Sequence, residues 1–113
     1  MVTFKKVEGE IRKQAETYLG AAFPPEVNVY AAVEAELVGA GALTLSGRAI
    51  RLLDWKAEPA FAEFTLRSLV FVASEPGLAV EGVEPQLSRF GFVEENGIYR
   101  ASSRDIKFPC ECK

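Results

Sequence analysis

Histidine is absent from all 113 residues. No imidazole is available as general base, nucleophile partner or metal ligand, which removes hydrolase triads of the Ser-His-Asp kind and the common zinc sites. Cysteine occurs only as Cys110 and Cys112 in a terminal FPCECK, which is not the spaced framework of small secreted domains. Two thiolates fill half of a tetrahedral metal site, so a metal at Cys110 and Cys112 would need a second chain, as in a CxC-linked homodimer. No window reaches eighteen apolar residues without charge, and the opening MVTFKKVEGEIRKQ has no apolar stretch of leader length. Neither a membrane span nor a signal peptide is expected, and the expected location is the cytoplasm. A basic excess is lacking too: 13 Lys and Arg stand against 16 Asp and Glu, a net charge of −3. The cations are interleaved with acids rather than gathered in a stripe, which argues against a nucleic-acid partner.

What is present is enough apolar material for one modest core, 49% of the residues, and the whole chain, 1–113, reads as a single domain. Phe4, Val7, Ile11, Ala15, Tyr18 and Leu19 recur at helical spacing, so residues 3–20 are expected as an amphipathic helix ended by Gly20 and Pro24-Pro25. Gly9 inside it costs roughly 1 kcal/mol relative to alanine, enough to delay its start. From Val27 the texture becomes β-like: VNVYAAV, ELVGAGALTLSG and AIRLLDW form a three-strand antiparallel meander over 27–56. Gly39 and Gly41 mark either a bulge that bends the strand or the close approach of another chain or a ligand.

Residues 60–74 return to helical patterning, with Phe61, Phe64, Leu66, Leu69, Val70 and Val72 leaving little polar face. The β-branched LVFVA also permits a strand. Arg67 needs a partner if buried, and Glu63 one turn earlier is the simplest. Residues 78–101 follow as strand, short helix from Glu84-Pro85 and strand, interrupted by the turn signal Asn96-Gly97. A tail covers 102–113, with Phe108 as its anchor. Trp55 at a strand end either lines a pocket mouth or covers the sheet.

In its middle and C-terminal part the chain resembles the GNAT superfamily of acyl-CoA N-acyltransferases. The matching words are ELVGAGALTL with the RLL strand, TLRSLVFVA, and LSRFGF followed by EENGIYR, over roughly residues 27–101. The resemblance implies an α+β fold, a mixed and mainly antiparallel sheet flanked by helices, and acetyl-CoA as the cofactor; the residues themselves imply none. The pantetheine arm would lie between two parallel strands, and the pyrophosphate would meet backbone amides at the start of the long helix. Cofactor contacts would then fall to the backbone of Leu52, Ala60, Ala62 and Phe64.

The family's Gln or Arg with spaced glycines before that helix corresponds here to Ala57, Ala60 and Ala62, with Glu58 and Glu63 beside them. Alanine narrows the backbone freedom of such a loop, and Pro59 removes one amide donor. At an effective dielectric near 20, a carboxylate at ~6 Å from a phosphate charge costs roughly 3 kcal/mol before salt screening. The tyrosine that many relatives use to protonate the leaving thiolate corresponds to Leu87. Tyr99 and Tyr30 are the remaining tyrosine candidates, and Glu36 or Glu34 are candidates for a base that deprotonates an amine acceptor. These departures favour a divergent protein that binds a small molecule or a protein partner through the cleft or sheet edge. The alternative is a working N-acetyltransferase. The missing early helical region also raises the expectation of self-association.

Overall fold

In the computed structural model, residues 1–108 are described, and Cys110 and Cys112 lie outside them. The elements are β1 (Thr3–Lys6), α1 (Gly9–Leu19), β2 (Asn28–Val33), β3 (Leu37–Ser46), β4 (Ala49–Ala57), α2 (Ala62–Ala73), β5 (Ala79–Gly82), β6 (Val93–Glu95) and β7 (Ile98–Ser102). A 3-10 turn (Pro59–Phe61) precedes α2, and a 3-10 helix (Pro85–Phe90) follows β5. The strands form one sheet in the order β1-β2-β3-β4-β5-β7-β6. Every pairing is antiparallel except β4 with β5.

The expected helix over 3–20 is corrected at its start. Residues 3–6 pair with β2 from Thr3↔Val33 to Lys6↔Tyr30, and the helix begins only at Gly9. Strand alternation explains why the sequence misled: Phe4 stacks on Tyr30 on one face of the sheet, whereas Val7 joins the core of the other face. The two residues share a helical spacing but not a side. Ile11, expected on the buried stripe, is 44% exposed, and Ala15 carries the helix contact instead.

The meander over 27–56 is observed, and the two helices cover opposite faces of it. Ala15, Tyr18 and Leu19 of α1 pack on Val29, Ala31, Ala40 and Ala42. Leu66, Leu69, Val70 and Ala73 of α2 pack on Leu43, Ile50 and Val80. Residues 62–73 are thus a helix and the strand alternative for LVFVA is excluded; the stripe at i, i+3, i+4 and i+7 is what buries them. Gly39 and Gly41 make that contact close. A β-carbon on Gly39 would lie 2.5 Å from Thr65 Oγ1, and one on Gly41 would lie 3.0 Å from the Leu69 methyls. These glycines serve the close approach of this chain's own α2 rather than of another chain or a ligand, and register shifts fall nearby, at Val38 in β2–β3 and Leu53 in β3–β4. Asn96 and Gly97 both take positive φ, 56° and 84°, as the tight β6–β7 hairpin requires.

Candidate functional site: a cleft through the sheet

β4 and β5 are paired over only three positions, Ala49↔Ala79, Ile50↔Val80 and Arg51↔Glu81, and then part. The cause lies in β4. Ala42 pairs with Asp54 and Leu43 with Leu52, so Leu53 is an extra residue, and such a bulge bends its strand away from the neighbour it had been following. Past this point the facing edges of the two strands no longer satisfy each other's backbone groups. They become donors and acceptors open to a ligand that carries amides.

On the α2 side a cleft of about 240 Å³ follows, lined by Leu52, Trp55, Leu66, Leu69, Gly82 and Glu84 among others. On the opposite side a hollow of about 330 Å³ is lined by Arg51, Leu52, Leu53, Glu81, Gly82, Val83 and Ile98. Leu52, Leu53, Gly82 and Val83 border both, so the two meet where the strands separate. At Gly82 the Leu87 side chain approaches the strand closely: a β-carbon there would lie 2.7 Å from Leu87 Cδ1.

Two polar links cross this region. Trp55 Nε1 donates to Glu84 Oε2 at 2.8 Å, joining the end of β4 to the segment after β5. Arg89, on the 3-10 helix, donates to Glu63 Oε1 in the first turn of α2 at 2.6 Å. Glu63, the simplest expected partner for a buried Arg67, reaches Arg89, and the Arg67 guanidinium lies 5.9 Å from the Phe108 ring centroid. Phe108 is 38% exposed and packs against Phe71 and Phe90, so its anchoring is partial.

Where α2 begins, the amides that would greet a diphosphate are already engaged in part. Phe61 N–H donates to Glu58 O at 2.8 Å and Ala62 N–H to Pro59 O, while Pro59 has none to give. No side chain caps the helix. Of the expected cofactor contacts, Leu52 sits on the cleft. Ala60 is in the 3-10 turn, Ala62 is bonded within it, and the Phe64 ring meets Phe4 edge-on at 6.4 Å.

The base and acid candidates are scattered. Glu34 and Glu36 occupy the exposed β2–β3 turn, with Glu34 near the terminal ammonium at 3.4 Å. Tyr30 stacks on Phe4, with two strands between it and β5, and burial raises its phenol pKa above the ordinary value. Tyr99 is opposite Gly82 on β7, packed on the α2 side. Leu87 is fully buried in the core. Trp55 does line the cleft. Glu81, Arg51 and Arg100 were not anticipated, although a lone glutamate inside LAVEGV was the available signal, since a charge on an otherwise apolar strand must find a partner. Among the described residues no group of three or more His, Cys, Asp or Glu is placed to hold a metal, and no helix is long and apolar enough to cross a membrane.

The sequence matches no family model and no curated protein. The fold has solved counterparts. YhhK from Escherichia coli, provisionally classed as an N-acetyl transferase and solved bound to coenzyme A, aligns over 90% of this chain and 98% of its own, with a TM-score of 0.65 at 15% identity. The ribosomal-protein-S18-alanine N-acetyltransferase of Escherichia coli aligns over 98% and 97%, with a TM-score of 0.59 at 10% identity. The spermidine N-acetyltransferase SpeG of Vibrio cholerae, as its F149G mutant, aligns over 88% and 91%, with a TM-score of 0.56 at 12% identity. The fold of this chain, a seven-stranded and mainly antiparallel sheet parted between β4 and β5, is the GNAT fold.

Proposed function

We propose that this chain binds a coenzyme A thioester by its pantetheine arm in the β4–β5 cleft and acts as a binding protein with little acyl transfer. The observation that carries the reading is the loss of pairing beyond Arg51↔Glu81. It leaves two strand edges able to bond the amides of an extended arm, with Gly82 at the junction. A cleft of about 240 Å³ suits an arm more than a whole nucleotide, since pockets for complete drug-sized ligands begin at about 300 Å³. The diphosphate end fits poorly: Pro59, the engaged amides of Phe61 and Ala62, and Glu58 and Glu63 stand where a cradle is needed. Leu87 offers no proton to a departing thiolate.

The test uses the single tryptophan, which lines the cleft. Titration with acetyl-CoA, coenzyme A and pantetheine should change Trp55 fluorescence saturably, and pantetheine should keep most of the affinity of the full cofactor. Absence of binding at millimolar concentration of all three ends the proposal. Acetylation of an amine at about 1 s⁻¹ or faster, the lower end of ordinary enzyme turnover, would favour the working N-acetyltransferase instead.

A further inference from the structure

Most arginines of this chain are engaged within the fold. Arg12 bonds Glu16 and three backbone carbonyls, Arg51 and Arg100 share Glu81, Arg89 holds Glu63, and the Arg67 guanidinium lies over the Phe108 ring. The other two, Arg48 and Arg104, have no hydrogen bond, ion pair or ring contact among the described residues. Both border one hollow of about 680 Å³, with Gly77, Leu78, Ala79 and Ser103 among its walls and no carboxylate lining it.

Sheet topology brings the two together. Ala49, Ala79 and Ser102 are register partners across β4, β5 and β7. Because β4 runs parallel to β5 and β7 runs against it, the residue before Ala49 and the residues after Ser102 lie beyond the same end of the sheet. Ala79 N–H donates to Arg48 O at 3.2 Å and Ser103 N–H to Leu78 O at 2.9 Å, which holds both backbones against the start of β5. Arg48 and Arg104 therefore flank β5 at two strand spacings, about 10 Å, a span that two long side chains close on one group. The hydroxyls of Ser74 and Ser102 already donate, to the carbonyls of Val70 and Phe71 and to Asp105, whereas Ser103 Oγ has no partner among the described residues. The neighbouring acids are placed elsewhere: Asp105 borders a separate hollow with Glu81 and Glu95, and Glu75 does not line this one.

We infer that this hollow binds the phosphate group of a small phosphate monoester. Such a group carries a charge of about −1.5 to −2 at pH 7 and three strong acceptor oxygens, which matches two guanidinium forks reaching in from two sides and one hydroxyl. A carboxylate has one charge and two oxygens in a plane, so a single fork saturates it. The volume of about 680 Å³ exceeds the needs of a bare ion and falls among small-molecule pockets, about 300 to 1,000 Å³. Pro76, Leu78 and Ala79 offer apolar surface to the rest of the ligand, so its body is compact and uncharged. Gly82 is three residues further along β5, about 10 Å away. The inference therefore does not rest on the pantetheine reading.

The test is a backbone-amide NMR titration of the full chain, at constant ionic strength, with glycerol 3-phosphate, inorganic phosphate, succinate and acetate. Saturable shifts centred on Gly47–Ala49, Gly77–Ala79 and Ser103–Arg104 are expected for glycerol 3-phosphate with a millimolar Kd, weaker binding for inorganic phosphate, and no shift there for acetate. Arg48→Gln and Arg104→Gln should each weaken binding about 10-fold, and the same spectra show that each variant stays folded. Lys5→Gln, on β1 at the far edge of the sheet, removes the same charge and should leave binding unchanged. The inference is overturned by no saturable shift up to about 50 mM, far above a millimolar Kd, or by succinate, acetate or inorganic phosphate binding as tightly as the ester. It is equally overturned by an equal loss in Lys5→Gln or by undiminished binding in either arginine variant. Trp55 fluorescence with pantetheine reads the cleft, so failure of one site is distinguishable from failure of the other.

Discussion

Removing the carboxylate of Glu84 should lower stability and raise cofactor affinity together. In the folded chain that carboxylate accepts from Trp55 Nε1 at 2.8 Å and, more weakly, from Gln86 N–H at 3.4 Å as the cap of the 3-10 helix. A hydrogen bond to a charged group contributes about 1.5 to 3 kcal/mol. Both partners here are only partly buried, and solvent reduces the contribution to about 1 kcal/mol. For a domain of this size that corresponds to a fall in Tm of about 4 to 6 °C in Glu84→Ala. The same bond spans the cleft proposed for the pantetheine arm, so once it is removed a ligand that would have had to break it gains up to the same 1 kcal/mol, about 5-fold in Kd. Thermal melts with and without coenzyme A, together with calorimetric titration, give both quantities. Glu84→Gln keeps an acceptor for the indole and should lie between. If affinity falls in step with stability, the link holds the cleft in its binding shape and the reasoning is wrong.

Three further outcomes are expected. Glu63→Gln releases Arg89 from its 2.6 Å ion pair and removes one carboxylate from the start of α2; affinity for coenzyme A should rise several-fold by calorimetry while affinity for pantetheine, which has no diphosphate, stays level. Gly39→Ala drives a methyl to 2.5 Å from Thr65 Oγ1 and should cost about 1 to 3 kcal/mol in urea denaturation. Combining it with Thr65→Ala, which removes the opposing atoms, should recover part of that loss, and strict additivity would sink the explanation. The third outcome is a pH dependence. Glu16 accepts the Phe23 N–H at 3.1 Å and pairs with Arg12 at 3.1 Å, and these contacts hold its pKa below the ordinary glutamate value despite partial desolvation. A depressed carboxyl contributes stability that is complete above the unfolded pKa of about 4.3 and is lost as pH falls through the folded value. Melts between pH 3 and 7 should show a shallower acid limb in Glu16→Gln than in the parent chain.

Most of the scaffold was legible because it is written in short-range patterns. The meander followed from alternation, α2 from its apolar stripe, and the last hairpin from Asn96-Gly97. Residues 3–6 were misread because Phe4, Val7 and Ile11 satisfy a helical spacing while strand pairing with β2, a contact almost thirty residues away, decides their state. The candidate site was legible in outline only. Leu52 was expected at the cofactor only through the resemblance and Trp55 was left between pocket mouth and sheet cover, while the bulge at Leu53 leaves no mark in composition. The register shift that produces it is a property of three strands together. Glu81 with its two arginines was hidden for the same reason, since residues 51, 81 and 100 meet only through sheet order. The Glu63–Arg67 spacing predicted a local pair, and the nearer geometric partner came from the 3-10 helix.

Gly39 and Gly41 also decide how the α2 wall of the cleft is seated. Thr65 and Leu69, one turn apart on α2, sit in the trough these glycines leave in β3, so the helix is keyed to the sheet and cannot slide along it without lifting out. β5 is held to β4 by three residue pairs and to β7 by four, and β6 and β7 travel with it. The core itself joins β5, β7 and the 3-10 helix to α2 and β3–β4, since Val80, Leu87, Phe90 and Ala101 share one buried cluster with Leu43, Ile50, Leu66, Leu69 and Val70. Trp55–Glu84 and Glu63–Arg89 are latches between them, one near the sheet and one near the helix. Both walls of the cleft are therefore seated by buried packing, with the two polar contacts added at its margin.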